Sequence, residues 1–194
     1  MDKMINTIVN NPKFIEDPKT AYQQLLAEVP WITEVSRRQE CFMAHEATDY
    51  QYLKQEGAPV YHSLAYHPLV ASIEKNINTI YGCRMDLCFL NYYADQYQGL
   101  GWHADDDEII DQEQPIVVVS IGSVREIWTR PSIIENNVRI SHKGEIPREW
   151  RYKLENGSLF IMPPGFQNTH QHKIPKGDRA MSGRISLTYR SRKI

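Results

Sequence analysis

The residues best suited to bind a metal ion lie in the segment Trp102-His103-Ala104-Asp105. In a β-strand, positions i and i+2 point to the same face, so the imidazole at 103 and the carboxylate at 105 can approach one ion. A second histidine from a later strand would complete a set of two histidines and one carboxylate. This donor set occupies one side of an octahedral ion, leaves the other side open, and is typical of non-haem Fe(II) sites.

The second histidine has two candidates, which lie in the segment Thr169-His170-Gln171-His172. Because His170 and His172 are two positions apart, both point to the same face of a strand. Strand alternation therefore leaves both of them open as ligands.

The last predicted strand adds a site of a different kind. Arg184, Ser186, Thr188 and Arg190 occupy alternate positions and so share one face, with the two arginines 12 and 18 residues after His172. An arginine that points into a protein interior needs an anion, and a small dicarboxylic acid matches the planar guanidinium group. We therefore expect an anion site close to the metal site.

These residues must be positioned by a fold that changes character near Gly82. Before it, Asp17-Pro18 introduces KTAYQQLLAEV and Pro68 opens LVASIEKNINTIY, and both segments have apolar residues at helical spacing. After it, short segments rich in β-branched and aromatic residues predict strands: CRMDLCFLNYY, IVVVSIGS, REIWTR, NVRISHK, EWRYKL, SLFIMP, THQHKI and RISLTYR. The pattern predicts an α+β, mainly β fold, a sandwich or jelly-roll barrel with N-terminal helices packed on its outside.

Composition and charge narrow the class of protein. With 194 residues, 41% hydrophobic and 24% charged, the chain is expected to form one domain over residues 1–194. It has no apolar run of about 20 residues, no secretory signal pattern and no paired cysteine spacing, so we expect a cytoplasmic or nuclear monomer without membrane contact. From residue 139 onward there are 12 Lys and Arg against 4 Asp and Glu, which favours contact with phosphates.

Four motifs, taken together, resemble one known family. They are Asn91-x-Tyr93, His103-x-Asp105 followed by Asp107 and Glu108, Asn168-Thr169-His170-Gln171-His172-x-x-Pro175, and Arg184-x-Ser186-Leu-Thr-Tyr-Arg190. In order and spacing the chain resembles the AlkB family of Fe(II)- and 2-oxoglutarate-dependent dioxygenases over about residues 85–192. The resemblance implies a double-stranded β-helix (jelly-roll) core over residues 83–194, preceded over residues 1–82 by a helical part with a nucleotide-recognition lid.

The resemblance also implies a role for each motif. The ligands of Fe(II) would be His103, Asp105 and His172, since the family's spacing to the arginine strand selects His172. The 2-oxoglutarate co-substrate would be held by Asn91, Tyr93, Arg184, Ser186 and Arg190, with one of the two arginines binding its distal carboxylate. Ser186 stands where the family usually has asparagine, so a hydroxyl replaces an amide at this contact.

The implied activity is demethylation of alkylated bases in DNA or RNA, as in DNA repair. It uses Fe(II), 2-oxoglutarate and O2, and it releases formaldehyde, succinate and CO2. Because N1-methyladenine and N3-methylcytosine are cationic, Asp107 and Glu108 would select them, with Tyr61 also near the base. The target base must be flipped out or single-stranded, and the lid would be the segment TDYQYLKQEGAPVYHS, which contains Tyr50, Tyr52 and Tyr61.

Other residues and other functions complete the set of expectations. Candidates for phosphate contacts are Arg37, Arg38, Arg148, Arg151, Lys173, Lys176 and Arg179. Trp31, Trp128 and Trp150 are expected to pack in the core or barrel.

One alternative is a related oxygenase that acts on a protein side chain or a small molecule. A second is a non-catalytic barrel that binds nucleic acid, although such a barrel would not need an open metal face and two buried arginines.

Overall fold

The computed structural model describes residues 6–33, 38–51, 59–136, 138–140, 142 and 147–194. Within these residues the helices are α1 (Pro18–Glu28), α2 (Pro68–Tyr81) and α3 (Phe166–Thr169). The strands are β1 (Val9–Asn11), β2 (Gln39–Ala44), β3 (Asp49–Gln51), β4 (Val60–His62), β5 (Leu87–Tyr93), β6 (Leu100–His103), β7 (Ile116–Gly122), β8 (Arg125–Pro131), β9 (Ile133–Glu135), β10 (Val138–Ile140), β11 (Trp150–Leu154), β12 (Ser158–Met162), β13 (His170–Ile174) and β14 (Arg184–Arg190).

Most strands belong to two antiparallel sheets. The larger sheet has the order β1-β12-β7-β14-β5-β2, and the smaller has the order β11-β8-β13-β6. Side chains of both sheets, such as Phe89 and Val118 from the larger and Ile127 and Ile174 from the smaller, meet in one buried cluster. The two sheets therefore face each other, which confirms the predicted jelly-roll core.

A second buried cluster lies between the other face of the larger sheet and the helices α1 and α2. Strand β14 divides its side chains between the two clusters, because alternate positions face opposite ways. Ile185, Leu187 and Tyr189 pack on the helical side, so Arg184 and Arg190 point between the sheets. All seven residues of β14 are buried, and its polar face is therefore enclosed rather than solvated.

The two predicted helices are present, and their ends coincide with the capping residues. Helix α1 begins at Pro18, with Asp17 accepting a hydrogen bond from the Thr20 backbone N–H at 3.1 Å, and α2 ends at Gly82, which has a φ of +65°. Both helices cover the outer face of the larger sheet through residues such as Leu25 and Ile77, neither of which is exposed. None of the helices in the described ranges has the length and apolar character needed to cross a bilayer.

The helical part expected before residue 82 also contains the four strands β1, β2, β3 and β4. Strand β2 forms an edge of the larger sheet beside β5, and five of its six residues are buried. A strand that is covered on both faces lacks the alternation of apolar and polar residues that predicts a strand from the sequence. The segment QECFMA therefore gave no strand signal.

Candidate active site

Three side chains that can bind a metal converge at one end of the space between the sheets. His103 lies at the end of β6 and is paired across the sheet with His172 of β13. One ligand atom of each histidine and one of Asp105 all lie within 4.8 Å of one another. The Nε2 atoms of His103 and His172 are 3.7 Å and 4.0 Å from the two carboxylate oxygens of Asp105.

Asp105 reaches this cluster from a loop rather than from a strand. Strand β6 ends at His103, so the expected strand alternation does not extend to position 105. Instead, the Asp105 backbone is fixed on both sides: its N–H donates to Gln167 Oε1 at 3.1 Å, and its carbonyl accepts from Gln112 Nε2 at 3.0 Å. The two amide side chains thus fix the Asp105 backbone, as the hydrogen bonds between strands would in a sheet.

The structure separates the two histidines that alternation left open. His170 stacks on the ring of Phe166, with centroids 4.6 Å apart and planes at 14°, and its Nδ1 hydrogen-bonds Thr169 Oγ1 at 2.8 Å. His172 is 5% exposed and faces Asp105. Geometry thus brings His172, and not His170, into the cluster.

The cluster has the protonation states that metal binding needs. Burial lowers the pKa of His103, and it lowers the pKa of His172 to about 3, with a further contribution from the neighbouring His103. His103 Nδ1 donates to the Gly101 carbonyl at 2.8 Å, which leaves Nε2 with a lone pair. Burial alone would raise the pKa of Asp105, but Arg190 and the two histidines bring it down to about 2. At neutral pH the donors are therefore two neutral imidazoles and one carboxylate.

Arg190 orients this carboxylate from β14. Its Nε and Nη2 atoms both donate to Asp105 Oδ2, at 3.1 Å and 2.9 Å. The other oxygen, Oδ1, is buried and has no hydrogen-bond partner among the described residues. A buried carboxylate oxygen without a partner is costly, and an ion held beside both imidazoles would satisfy it. The donor set therefore fits Fe(II).

Arg184, at the other end of β14, is buried without any carboxylate partner in the described ranges. Its Nε donates to Ser120 Oγ at 2.8 Å and its Nη2 to Ser186 Oγ at 3.2 Å, but its Nη1 has no hydrogen-bond partner among the residues that the structure describes. Burial lowers the pKa of Arg184 to about 10, which still leaves the group charged at neutral pH. Its guanidinium carbon lies 5.3 Å from the ring centroid of Tyr93. A buried cation with an unmatched donor fits one carboxylate of a dicarboxylic acid.

A cavity of about 220 Å³ is lined by the metal cluster and by Tyr93 and Ser186, which contact Arg184. Its apolar wall comes from both sheets and includes Phe89, Leu100, Val118, Ile127 and Ile174. Its polar wall contains all three metal candidates and most of the predicted co-substrate contacts, together with two residues that the sequence did not single out for this site: His103, Asp105, His172, Asn91, Tyr93, Ser186, Arg190, Tyr61, Arg38 and Glu40.

Arg38 and Glu40 form a hydrogen-bonded group on the cavity wall that sequence reasoning missed. Glu40 is 2% exposed and accepts from Arg38 Nη2 at 2.7 Å and from Tyr61 Oη at 2.5 Å. Arg38 Nε also donates to Asn91 Oδ1 at 3.1 Å. Arg38 is thus turned into the cavity, which corrects the expectation that it contacts phosphates, whereas Arg37 lies outside the described residues. The sequence offered no signal for this group, because the segment around Glu40 was not predicted as a strand.

The expected substrate residues are placed differently from one another. Asp107 is half-buried and accepts from Tyr50 Oη at 2.6 Å, and burial raises its pKa. Glu108 is exposed at the surface. Tyr50 and Tyr61 pair across the hairpin of β3 and β4 and are both buried, whereas Tyr52 lies outside the described residues. Of these side chains, Tyr61 is the one that lines the cavity.

Comparisons with known proteins agree with this site. The family model described as the 2OG-Fe(II) oxygenase superfamily matches residues 10–190. The solved structure of OsALKBH1 superposes with a TM-score of 0.58 and 16% identity, covering 95% of this chain and 96% of that one. This second likeness supports the fold.

Curated relatives include AlkB homologues. The chain is 25% identical to the alpha-ketoglutarate-dependent dioxygenase alkB homolog 3 of Bos taurus, over 93% of this chain and 64% of the relative. It is also 25% identical to the human protein of the same name, over 87% of this chain and 59% of the relative. With the DNA oxidative demethylase ALKBH2 of Mus musculus it shares 28% identity, over 63% of this chain and 50% of that protein.

The chain thus spans roughly half to two thirds of the length of these relatives. The relatives confirm the AlkB resemblance that the motifs indicated, and the family implies Fe(II), 2-oxoglutarate and O2 as its cofactors. Because the family model covers nearly the whole chain, this protein belongs to the 2OG-Fe(II) oxygenase superfamily.

Proposed function

We propose that this protein is an Fe(II)- and 2-oxoglutarate-dependent dioxygenase that demethylates alkylated bases in nucleic acid, with residues 1–194 acting as one catalytic domain. The observation that carries the proposal is that two buried polar atoms lack a hydrogen-bond partner among the described residues. One belongs to Asp105, which lines the cavity, and the other to Arg184, whose neighbours Tyr93 and Ser186 line the same cavity. Asp105 Oδ1 lies beside two neutral imidazoles, and Arg184 Nη1 lies at the other end of β14. A metal ion would bind the first group, and one carboxylate of a dicarboxylic acid would bind the second.

Each residue of the cavity has a separate task in this proposal. His103, Asp105 and His172 hold Fe(II), and Arg190 fixes the orientation of the Asp105 carboxylate. The 2-oxoglutarate is bound by Arg184 and Ser186 on β14 and by Asn91 and Tyr93 on the adjacent strand β5, with Arg190 beside the metal end of the co-substrate. Bound Fe(II) and 2-oxoglutarate supply the oxidation of a C–H bond by O2, with release of succinate and CO2.

The nucleic-acid substrate is supported by the names of the relatives and by a carboxylate on the cavity wall. Two of the relatives named above are called alpha-ketoglutarate-dependent dioxygenases of the alkB type, and a third is called a DNA oxidative demethylase. A methylated adenine or cytosine base carries a positive charge, so a carboxylate at the cavity would favour it over an ordinary base. Glu40, which lines the cavity with Tyr61, is our first candidate for this contact, and Asp107 and Glu108 are further candidates.

A panel of methylated oligonucleotides tests the proposal. Purified protein with Fe(II), ascorbate and 2-oxoglutarate is incubated with single- and double-stranded DNA and RNA that contain N1-methyladenine or N3-methylcytosine. Mass spectrometry should detect loss of the methyl group, with one succinate formed per methyl group removed. His103→Ala should abolish both signals.

Two results would contradict the proposed substrate. One is succinate formation that no member of the panel stimulates but that a peptide or a small metabolite does stimulate. This result would identify a related oxygenase with another substrate. The other is tight oligonucleotide binding without any turnover by the metal-loaded protein, which would identify a non-catalytic nucleic-acid-binding barrel.

A further inference from the structure

The outer face of the smaller sheet carries a row of four side chains in which cations and indole rings alternate. The row contains one residue from each strand, in the order Arg151 (β11), Trp128 (β8), Lys173 (β13) and Trp102 (β6). Arg151 and Lys173 are both paired directly with Trp128 in the strand register. Since neighbouring strands lie about 4.8 Å apart, the row spans about 14 Å. We call these four residues the outer-face row.

Distances within the row are short. The Arg151 guanidinium carbon is 3.8 Å from the centroid of Trp128, and Lys173 Nζ is 4.1 Å from the same ring. Lys173 Nζ is also 4.5 Å from the centroid of Trp102, which has the Arg130 guanidinium carbon at 4.1 Å as well. Trp128 thus lies on the outside of the sheet, contrary to the expectation that it packs in the barrel. The contacts hold the cations in fixed positions on the surface.

The row lies directly behind the candidate metal site. Trp102 and Lys173 are the chain neighbours of His103 and His172, and successive residues of a strand point to opposite faces. The same two strands therefore present metal ligands to the cavity and the outer-face row to solvent. Because β6 is the edge strand of this sheet, a strand of nucleic acid that passed around β6 would reach the row.

This face carries the cations Arg130, Arg151 and Lys173 against the carboxylates Glu126 and Glu149, and Glu149 interacts with all three cations. Among the described residues, the ion pair of the row is the one between Arg151 and Glu149, at a long 3.9 Å. The Glu126 carboxylate accepts a hydrogen bond from Trp128 Nε1 at 2.7 Å. The row continues into a surface groove of about 720 Å³ whose charged walls are Arg151, Lys153, Lys176, Arg179, Glu126 and Asp178.

We propose that the outer-face row binds the phosphodiester backbone of the nucleic-acid strand whose base enters the cavity. This inference rests on the proposed function for the identity of the strand. Positively charged groups at fixed spacing suit a chain of phosphates, and each contact releases counterions from the nucleic acid. The cations act by charge, and the tryptophans position them.

Fluorescence anisotropy with a labelled single-stranded 20-nucleotide oligonucleotide carrying N1-methyladenine, measured over a series of salt concentrations, tests the proposal. The variant Arg151→Gln/Lys173→Gln should weaken binding roughly tenfold and reduce the salt slope by about 1.4, since each phosphate contact to a single strand contributes about 0.7. The matched control is Lys19→Gln/Lys75→Gln, which removes two exposed charges from helices α1 and α2. The control should retain the wild-type slope.

The charge-conserving variant Arg151→Lys/Lys173→Arg separates charge from packing and should also retain the wild-type slope. Equal slopes for the glutamine variant and the helix control would overturn the proposal, and so would loss of slope in the charge-conserving variant. A polyglutamate peptide that binds with the same row-dependent slope would overturn it in favour of an acidic protein partner.

The demethylation panel distinguishes this failure from failure of the proposed function. A protein that demethylates the oligonucleotide, with the glutamine variant and the helix control alike in KM, refutes the row alone. A protein that demethylates nothing but binds the oligonucleotide with a row-dependent slope refutes the proposed function and leaves the row as a nucleic-acid site.

Discussion

Two of the buried carboxylates lie on opposite sides of the larger sheet, and they differ in how their oxygens are hydrogen-bonded. Glu74 of α2 is 6% exposed, and both of its oxygens have partners: His45 Nε2 at 2.6 Å and Asn78 Nδ2 at 2.9 Å. Asp105 is fully buried, receives both of its hydrogen bonds from Arg190 on one oxygen, and has no partner on the other.

The difference appears in the two pKa values. Burial raises the pKa of Glu74, and its neighbours do not reverse that shift. Burial also acts against the charge of Asp105, yet Arg190, His172 and His103 hold its pKa at about 2. Burial of a carboxylate is therefore not a sign of function by itself. The sign is a carboxylate kept ionised in the interior with an oxygen left unmatched.

The largest effect is expected on the metal ligands themselves. His172→Ala should lower metal affinity by more than about 100-fold, because even residues that only support ligands are worth about 10- to 100-fold. His170→Ala, two residues away on the same strand, is the matched control and should bind metal normally, since His170 packs on Phe166. Calorimetric titration with Mn(II) or Fe(II) measures both variants. Metal loss in His170→Ala but not in His172→Ala would reverse the assignment.

Substitutions of the two arginines of β14 should have different effects. Arg184→Gln removes the unmatched cation and should raise the KM for 2-oxoglutarate roughly 100-fold, while metal affinity stays within a fewfold. Arg190→Gln leaves Asp105 buried without its cation, which should lower the free energy of unfolding of the metal-free protein by about 3 kcal/mol. Steady-state kinetics and urea unfolding separate the two effects. An unchanged KM in Arg184→Gln would remove that residue from the co-substrate site.

A smaller effect is expected at the cavity wall. Glu40→Gln should raise the KM for a cationic methylated base about tenfold, because a charge-assisted contact is replaced by a neutral one. The KM for 2-oxoglutarate should stay the same. Asp107→Asn is the comparison variant, because Asp107 is not among the residues that line the cavity. A larger effect of Asp107→Asn than of Glu40→Gln would move base recognition to the position that the family motif implies.

The smallest effect is expected at Glu74 and concerns stability. The pKa of Glu74 is raised in the folded protein, so its contribution to stability is full below its unfolded pKa and is lost as the pH rises through the folded value. Glu74→Gln stays neutral, and its free energy of unfolding relative to wild type should therefore grow between pH 4 and pH 7, by under about 1 kcal/mol. Urea unfolding at the two pH values measures the change. A relative loss of stability with rising pH would contradict the inferred shift.

Much of this molecule could be predicted from the sequence, because its signals are local. Proline and glycine marked the ends of α1 and α2, and the alternation in RISLTYR placed Arg184 and Arg190 on one face. The resemblance to the AlkB family implied the three residues that meet in the metal cluster, whereas strand alternation alone left His170 and His172 both open.

The remaining features depend on contacts between distant parts of the chain. Arg190 binds Asp105 from 85 positions away, so the sequence could not tell which of the two arginines is matched by a carboxylate. Glu40 lies on β2, and Arg38 directly precedes that strand. Because β2 is buried on both faces, it lacks the alternation that would have predicted a strand here. The position of Trp128 depends on which face of β8 is covered, and that is decided by the other sheet.

The central claim is that the unmatched oxygen of Asp105 and the unmatched donor of Arg184 are the two halves of one site. Anaerobic calorimetric titration of 2-oxoglutarate tests it directly, with and without Fe(II), in the wild type and in Asp105→Ala. We predict one equivalent bound to the metal-loaded wild type, with affinity at least about tenfold weaker when the metal is omitted or Asp105 is replaced. Binding of 2-oxoglutarate that is equally tight in all of these samples would contradict the claim.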